Sequence, residues 1–350
     1  MYKFKTMRTP GYKPLMAWFS FFVLGWILFV LYAGGFTTSI KAGMAFLDWP
    51  LSNGSLNPEG WTQNPDQLAE HSHRLLGMVI GFLMLILFVW SWLSEERRWM
   101  RQLAGAILVT VILQGLIGGA RVRFDSLVTQ AESNHLAQAF AIIHACLAQI
   151  LLCLLVSFAV GSSRRWIERS GGLSEPVPRN IRYWGLLACG LIFLQLITGA
   201  LVRHSDAALA IPTFPLTPEG GLIPQIWSTP VTLHFIHRLG AVLVTLGLCT
   251  FIFKIGSHAP TRRSLKGSSI GLLFILAVQI FLGALVIWTQ KNPYSATIHM
   301  LIGALILAKT WMLTFLTFRL SLPVCEGQSI GRAHRPINTE VPSGIHGGTQ

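Results

Sequence analysis

Long apolar runs alternate with short polar segments along nearly the whole chain. Each run is close to the roughly 20 residues that an α-helix needs to cross a lipid bilayer. The pattern therefore predicts an all-α integral membrane protein with eight transmembrane helices. They are expected near residues 15–36, 72–93, 103–121, 136–160, 183–203, 234–256, 269–289 and 296–318.

A repeat relates the two halves of this pattern. Residues 34–51 align with residues 199–216 at a constant offset of 165, and the string 70–77 is echoed at 234–240 at an offset of 164. Each half then holds four helices, and an even number gives both halves the same orientation in the membrane. We predict two pseudo-symmetric four-helix bundles that are related as a parallel repeat.

The boundaries follow from the repeat and from local composition. Residues 1–165 are expected to form the N-terminal half and residues 166–320 the C-terminal half. Residues 321–350, which are rich in Gly, Pro and Ser, are predicted to be a disordered cytoplasmic tail. The first apolar run is too long for a signal peptide, so we expect it to be retained as a helix.

Composition and charge agree with a membrane location. The chain is 52% hydrophobic and only 12% charged, whereas soluble domains carry about 25% charged residues. The net charge of +13 does not indicate nucleic acid as a partner, because the basic residues sit in short blocks between apolar runs. Their excess on one side predicts cytoplasmic termini in a bacterial cytoplasmic (inner) membrane. The opposite loops hold only Lys41, Arg121, Arg123, Arg203 and Lys291.

Four histidines stand near the outer ends of alternate predicted helices: His73, His144, His237 and His299. Each has a small residue four positions on, one turn deeper on the same face. Facing helices of a four-helix bundle can supply one imidazole each to a haem iron, and small residues leave room for the macrocycle. We therefore predict two haem sites, one from His73 with His144 and one from His237 with His299. The small residues are Gly77, Ala148, Ala241 and Gly303.

Charged residues accompany these histidines. Arg74 and Arg238 are placed either to meet haem propionates or to extend to the membrane boundary as interfacial side chains. Glu70 precedes His73 by one turn, and the equivalent residue of the other half is His234. Glu70 is either a proton carrier for chemistry on a bound macrocycle or an acid favoured by the helix N-terminus. The difference predicts that the two haems do different jobs.

Other arrangements of histidine were weighed. His71 with His73, or His234 with His237, suggests zinc. However, residues two apart on a helix point away from each other, and neither half completes a tetrahedral set. His135 is the alternative to His144 if the register of the fourth helix differs. A recurring Gln-x-x-x-Gly string is explained either by close helix packing or by a part in the sites. Its three copies begin at Gln114, Gln195 and Gln279.

Taken together, these motifs resemble the haem A synthase family over residues 15–318. The resemblance is carried by E-H-S-H-R-L-L-G at 70–77, H-R-L-G at 237–240, His144 and His299, and A-G-M-A-F-L-D-W-P-L-S-N-G at 42–54. It implies an oxidoreductase that converts the C8 methyl group of haem O to the formyl group of haem A by successive hydroxylations, for cytochrome oxidase assembly.

The resemblance also implies a role for each site residue. His237 and His299 would ligate a resident haem b beside Arg238, whereas His73 and His144 would hold the substrate haem beside Arg74. Glu70 would be the catalytic carboxylate. Expected partners are haem O, haem O synthase, terminal oxidase subunits, the lipid bilayer and an unidentified electron donor or acceptor.

The chain departs from the family pattern in two places. It lacks the cysteine pairs that some members carry in the outer loops, and no arginine follows Gly34 and Gly35 in the first loop. Two other functions fit the same four histidines. One is a di-haem b electron-transfer protein of the membrane, and the other is a haem carrier or oxidase assembly factor without chemistry.

Overall fold

A computed structural model of the chain describes residues 11–167 and 176–320. Eight long helices in these residues have the length and apolar character to cross a membrane, so this prediction is confirmed. The predicted tail at 321–350 lies outside the described residues. The helices are α1 (Pro14–Ser39), α2 (Pro65–Ser94), α3 (Arg98–Arg123), α4 (His135–Ser162), α5 (Arg179–His204), α6 (Thr229–Ser257), α7 (Ala259–Trp288) and α8 (Pro293–Leu320).

Several helices begin before their apolar runs. The side chain of Asn64 accepts a hydrogen bond from the N–H of Asp66 at 2.9 Å, so α2 begins at Pro65, seven residues earlier than predicted. His258 caps α7 in the same way. Side-chain caps and proline in the first turn both favour a helix start. Hydropathy marks only the part of a helix within the hydrocarbon layer, so it misses these polar first turns.

The helices form two groups of four. In each group consecutive helices pack side by side and the fourth returns to the first, α4 against α1 and α8 against α5. The groups meet through contacts of α1 with α8, α4 with α8 and α4 with α5. If the two groups exchange places, the contact of α1 with α8 becomes the contact of α5 with α4, which is also present. The parallel repeat itself stays a prediction, and these matching contacts support it.

Helices α4 and α8 pack at the interface between the two groups. Within their apolar windows 39% and 44% of residues are buried, more than in the other six spans. Trp311 of α8 donates its indole N–H to the Ser157 hydroxyl of α4 at 2.7 Å. Because α2, α3, α6 and α7 lie outside this centre, they have free faces toward lipid.

Two long loops follow α1 and α5 and lie at the same end of the molecule as the four histidines. Asp206, just after α5, forms ion pairs with Lys41 of the first loop at 3.3 Å and with Lys291 before α8 at 3.0 Å. Burial raises the pKa of Asp206, but the two lysines outweigh it, so the pKa lies below its ordinary value. The Lys41–Asp206 pair joins the two groups at their outer ends, whereas the Lys291–Asp206 pair lies within the C-terminal group.

Candidate functional site

Each predicted ligand histidine lies against a glycine of the preceding helix. The four pairs are His73 on Gly34, His144 on Gly118, His237 on Gly199 and His299 on Gly283. A Cβ atom would come within 2.6 Å of the imidazole Cε1 at Gly34 and within 3.0 to 3.1 Å at the other three. We call these four residues the contact glycines. A methyl group at any of them would push the imidazole away, so the histidine position depends on the absence of a side chain.

The structure brings His73 and His144 together. Their ring centres are 6.5 Å apart and their planes stand at 86°. With metal–nitrogen bonds of about 2.0 Å, two imidazoles on opposite sides of one metal atom have ring centres roughly 6 Å apart. The separation therefore fits an iron atom held between the two rings.

Hydrogen bonds define which ring nitrogen is free. The Nδ1 of His144 lies 3.1 Å from the Gln114 carbonyl, so Nδ1 carries the proton and Nε2 keeps its lone pair. A bond of this kind commonly orients a metal-binding imidazole. The Nδ1 of His73 is buried without a hydrogen-bond partner. Binding of the Nε2 atom to a metal would compensate for burying this ring.

The second pair is built in the same way. The Nδ1 of His237 lies 3.1 Å from the Thr198 hydroxyl. This hydroxyl donates to the Gln195 main-chain carbonyl at 2.9 Å, so its oxygen can accept the Nδ1 proton and leave Nε2 available. His299 is near enough to interact electrostatically with His237, and its Nδ1 is buried without a partner. Both predicted histidine pairs thus have donor sets that suit bis-imidazole haem ligation.

The Gln-x-x-x-Gly string serves these sites as well as helix packing. Gln114 donates its amide to the His144 carbonyl and Gln195 donates to the His237 carbonyl, both at 2.8 Å. These two strings therefore each supply the glycine under a histidine and, one turn away, an amide that holds the backbone of that histidine; the third supplies Gly283 under His299. Sequence reasoning gave more weight to packing, because the histidine partner lies on another helix.

Glu70 and Arg74 hold the first outer loop. The Glu70 carboxylate pairs with Arg74 at 2.6 Å and accepts a hydrogen bond from the Phe46 N–H at 3.0 Å. Arg74 also donates to the carbonyls of Asp48 and Leu51, at 2.8 and 2.6 Å. Glu70 is only 4% exposed. The sequence placed Arg74 beside a propionate, and that role stays a prediction next to these loop contacts.

His234 and Arg238 make the equivalent contacts in the other half. His234 Nδ1 accepts a hydrogen bond from the Ile211 N–H at 3.2 Å, and Arg238 donates to the carbonyls of Ile211 and Thr213 at 3.0 and 2.5 Å. Ile211 stands 165 residues after Phe46, the offset of the repeat. Glu70 and His234 therefore anchor their loops through equivalent hydrogen bonds, although only one of them carries a carboxylate.

Two further arginines were counted in the sequence only as outer-side charges. Arg121 of α3 donates to the Gly43 carbonyl of the first loop. Arg203 of α5 donates to the Gly35 carbonyl and, at 2.6 Å, to the Ser39 hydroxyl of α1. Each follows a contact glycine by about one helical turn, a spacing that could have indicated a place near the histidines.

Asp48 shapes the loop that Arg74 holds. Its carboxylate oxygens accept hydrogen bonds from the Asn53 and Gly54 N–H groups, each at 2.8 Å, and Gly54 adopts a positive φ of 71° that favours glycine. Burial raises the pKa of Asp48, but the two N–H groups and Arg74 outweigh it, so the pKa lies below its ordinary value of 3.8.

Asp48→Asn is expected to loosen this loop. Losing one charge-assisted bond costs about 1 kcal/mol, which corresponds to a roughly fivefold rise in the open fraction. Because folding depresses the pKa of Asp48, its carboxylate contributes fully to loop stability above about pH 4. This contribution disappears as the pH falls through the pKa of Asp48 in the folded protein. Protease cleavage of the loop should be faster in the variant at pH 7, and the difference between the two proteins should shrink as the pH falls below about 4. Equal cleavage at pH 7 would contradict the role of Asp48.

A haem needs only two protein ligands. Across residues 11–167 and 176–320, no three His, Cys, Asp or Glu side chains come close enough to hold a metal ion. The two imidazole pairs and the contact glycines fit a haem iron, whose remaining ligands belong to the macrocycle.

Comparison with known proteins identifies the family of this chain. The family model COX15-CtaA, described as cytochrome oxidase assembly protein, matches residues 17–311. The chain is 32% identical over 290 residues to a heme A synthase of Geobacillus kaustophilus (strain HTA426), covering 81% of this chain and 86% of that protein. It is 28% identical over 298 residues to a heme A synthase of Alkalihalophilus pseudofirmus, covering 84% and 94%. The chain belongs to the COX15-CtaA family of cytochrome oxidase assembly proteins.

Proposed function

We propose that this chain is a haem A synthase that oxidises the C8 methyl group of haem O to the formyl group of haem A. The observation that carries the proposal is the His73–His144 pair, whose ring separation of 6.5 Å suits a haem iron, in a chain similar to heme A synthases over most of its length. The reaction is two successive hydroxylations of the methyl group, followed by loss of water from the resulting diol.

In this proposal each half binds a different haem. His237 and His299 hold a resident haem b, with Arg238 at its outer edge, and this cofactor supplies one-electron redox chemistry when bound. His73 and His144 hold haem O as substrate, with Arg74 at its outer edge. The contact glycines and the Gln114 and Gln195 amides orient the ligand imidazoles on both sides.

Glu70 is proposed as the catalytic carboxylate. It lies one turn from His73 on α2, and its two oxygens are held by Arg74 and by the Phe46 N–H. When water supplies the oxygen and a separate acceptor takes the four electrons, oxidation of the methyl group to an aldehyde also releases four protons. A carboxylate fixed at this place can accept them and pass them on. Arg74 orients Glu70 and links it to the loop that covers the site from the outside.

The cellular setting follows from the same proposal. Residues 1–165 form the substrate half and residues 166–320 the haem b half, in a bacterial cytoplasmic membrane with both termini on the cytoplasmic side. Haem O synthase is the expected source of substrate, and terminal oxidase subunits are the expected recipients of product. The electron donor or acceptor is a separate membrane component.

One observation favours a second function. Glu70 and His234 make equivalent loop contacts, so the carboxylate that distinguishes the halves also has a structural task. A di-haem b electron-transfer protein would need both histidine pairs and both loops, but no carboxylate chemistry. A haem carrier for oxidase assembly would need them too.

Haem analysis separates these functions. The chain is expressed in a bacterial host that makes haem O but no haem A, and haems are extracted from the membranes. We expect haem A to appear, and His144→Ala to abolish it while haem b stays bound in the other half. His135→Ala, at the exposed start of the same helix, is the matched control and should keep the wild-type yield. Two type b haems and no haem A from the wild type would overturn the proposal.

A further inference from the structure

An apolar groove runs along the outside of the N-terminal half, between α2 and α3. It has a volume of about 400 Å³, and every residue that lines it is apolar. The lining includes Gly77, Gly81 and Leu85 of α2, with Leu108 and Val111 of α3. We call it the α2–α3 groove.

The groove exists because two glycines of α2 have nothing packed on them. A Cβ atom at Gly77 or Gly81 would meet no other group within 4 Å, unlike one at Gly34 or Gly118. Gly77 and Gly81 lie one and two turns deeper than His73 on the same helix face, about 6 and 12 Å along the axis. The groove therefore continues from the histidine pair toward the middle of the membrane.

The other half does not repeat these glycines. At the offset of 164 residues, Gly77 corresponds to Ala241 and Gly81 to Thr245. The Thr245 hydroxyl donates to the Ala241 carbonyl at 2.8 Å, which holds its side chain against the helix. Only the half proposed to receive haem O thus has bare helix backbone below its first histidine.

We propose that the α2–α3 groove binds the farnesyl tail of haem O. The inference rests on the proposed function of the His73–His144 site. Haem O differs from haem b in carrying this long hydrocarbon chain on the macrocycle, and haem b has only a vinyl group there. A tail lying in the groove distinguishes the substrate from haem b and fixes the rotation of the ring in its plane. The C8 methyl group, rather than another ring methyl, then faces the reacting side.

The driving force is packing rather than escape from water. Lipid chains are as apolar as the groove, so selectivity inside a membrane comes from van der Waals fit. The groove is open toward lipid, and a tethered tail competes with lipid chains at the high effective concentration set by its link to the bound macrocycle.

The test fills the groove. Gly81→Leu places a side chain where the tail would lie, and Thr245→Leu is the matched control in the other half. Purified wild-type and variant proteins are incubated with equal amounts of haem O and haem b, and the bound haems are extracted and counted. We expect the preference of the N-terminal site for haem O to fall about tenfold or more in Gly81→Leu, and to be unchanged in Thr245→Leu.

A second variant protects against misfolding. Gly81→Thr introduces the residue that the other half already carries at this place, and it should lower the preference in the same direction. Haem b retained at His237 and His299 reports an intact fold. A haem O preference that stays at the wild-type level in both Gly81 variants would overturn the proposal and leave the groove to membrane lipid.

This readout is independent of catalysis. A wild-type protein that makes no haem A, yet prefers haem O and loses that preference in Gly81→Leu, would refute the synthase function and support the groove. If the wild type and Gly81→Leu make haem A at the same rate and show the same preference for haem O over haem b, the groove proposal is refuted and the synthase function is not.

Discussion

Gly34→Val is expected to abolish haem A formation while haem b stays bound between His237 and His299. A Cβ atom at residue 34 would come within 2.6 Å of the His73 ring, and the two further methyl groups of valine would force the imidazole out of line with its partner. A displacement of about 1 Å at a reacting site can cost about 100-fold in rate. Visible spectra and extracted haems from purified protein measure both effects.

The helix offers its own control. Gly25 is also in α1, and a Cβ atom there would meet nothing within 4 Å, so Gly25→Val carries the same change in helix propensity without touching the site. It should keep the wild-type yield. Gly199→Val should give the reciprocal result and remove the haem between His237 and His299. Normal turnover by Gly34→Val would show that His73 does not hold the substrate.

Glu70→Gln is expected to lower the yield of haem A by about 100-fold or more, the usual contribution of a general acid or base, while haem O remains bound. Glutamine keeps an oxygen that can accept the Phe46 N–H, but it cannot exchange a proton. The other half supports this distinction, because His234 holds its loop through the Ile211 N–H without a carboxylate. Loop anchoring therefore does not require a negative charge at this position.

Two further variants complete the test. Glu70→His copies the loop contact of the other half and restores a titratable group, so activity should return in part with a pH profile that differs from that of the wild type. His234→Gln is the matched control and should leave the yield unchanged. A wild-type yield of haem A from Glu70→Gln would show that Glu70 only anchors the loop and is not the catalytic carboxylate.

The spans and the histidine ligands illustrate what local pattern can predict. A run of apolar residues and an i,i+4 pair are properties of one helix, so the eight spans and the four histidines with small neighbours could be read directly. The helix starts were less accurate, as at Pro65 and Ala259, because capped polar turns lie outside the hydrocarbon layer.

The loop contacts illustrate what could not be predicted. Alignment of the halves showed that Glu70 stands where His234 stands, and the difference in chemistry suggested a difference in role. Only the folded structure showed that both accept a hydrogen bond from the same position of their loops. This leaves two explanations for the carboxylate where the sequence emphasised one.

The sequence by itself determined that this chain has eight apolar segments long enough to cross a membrane, and it predicted that the halves repeat and that four histidines could ligate haem. Each of these is a periodic or local property. Only the tertiary structure decided which atoms meet. Gly34 and His73 are 39 residues apart on different helices, and their contact depends on how closely α1 and α2 approach. The α2–α3 groove arises in the same way: Gly77 and Gly81 are two small residues among many until the packing of α3 leaves the space beside them open.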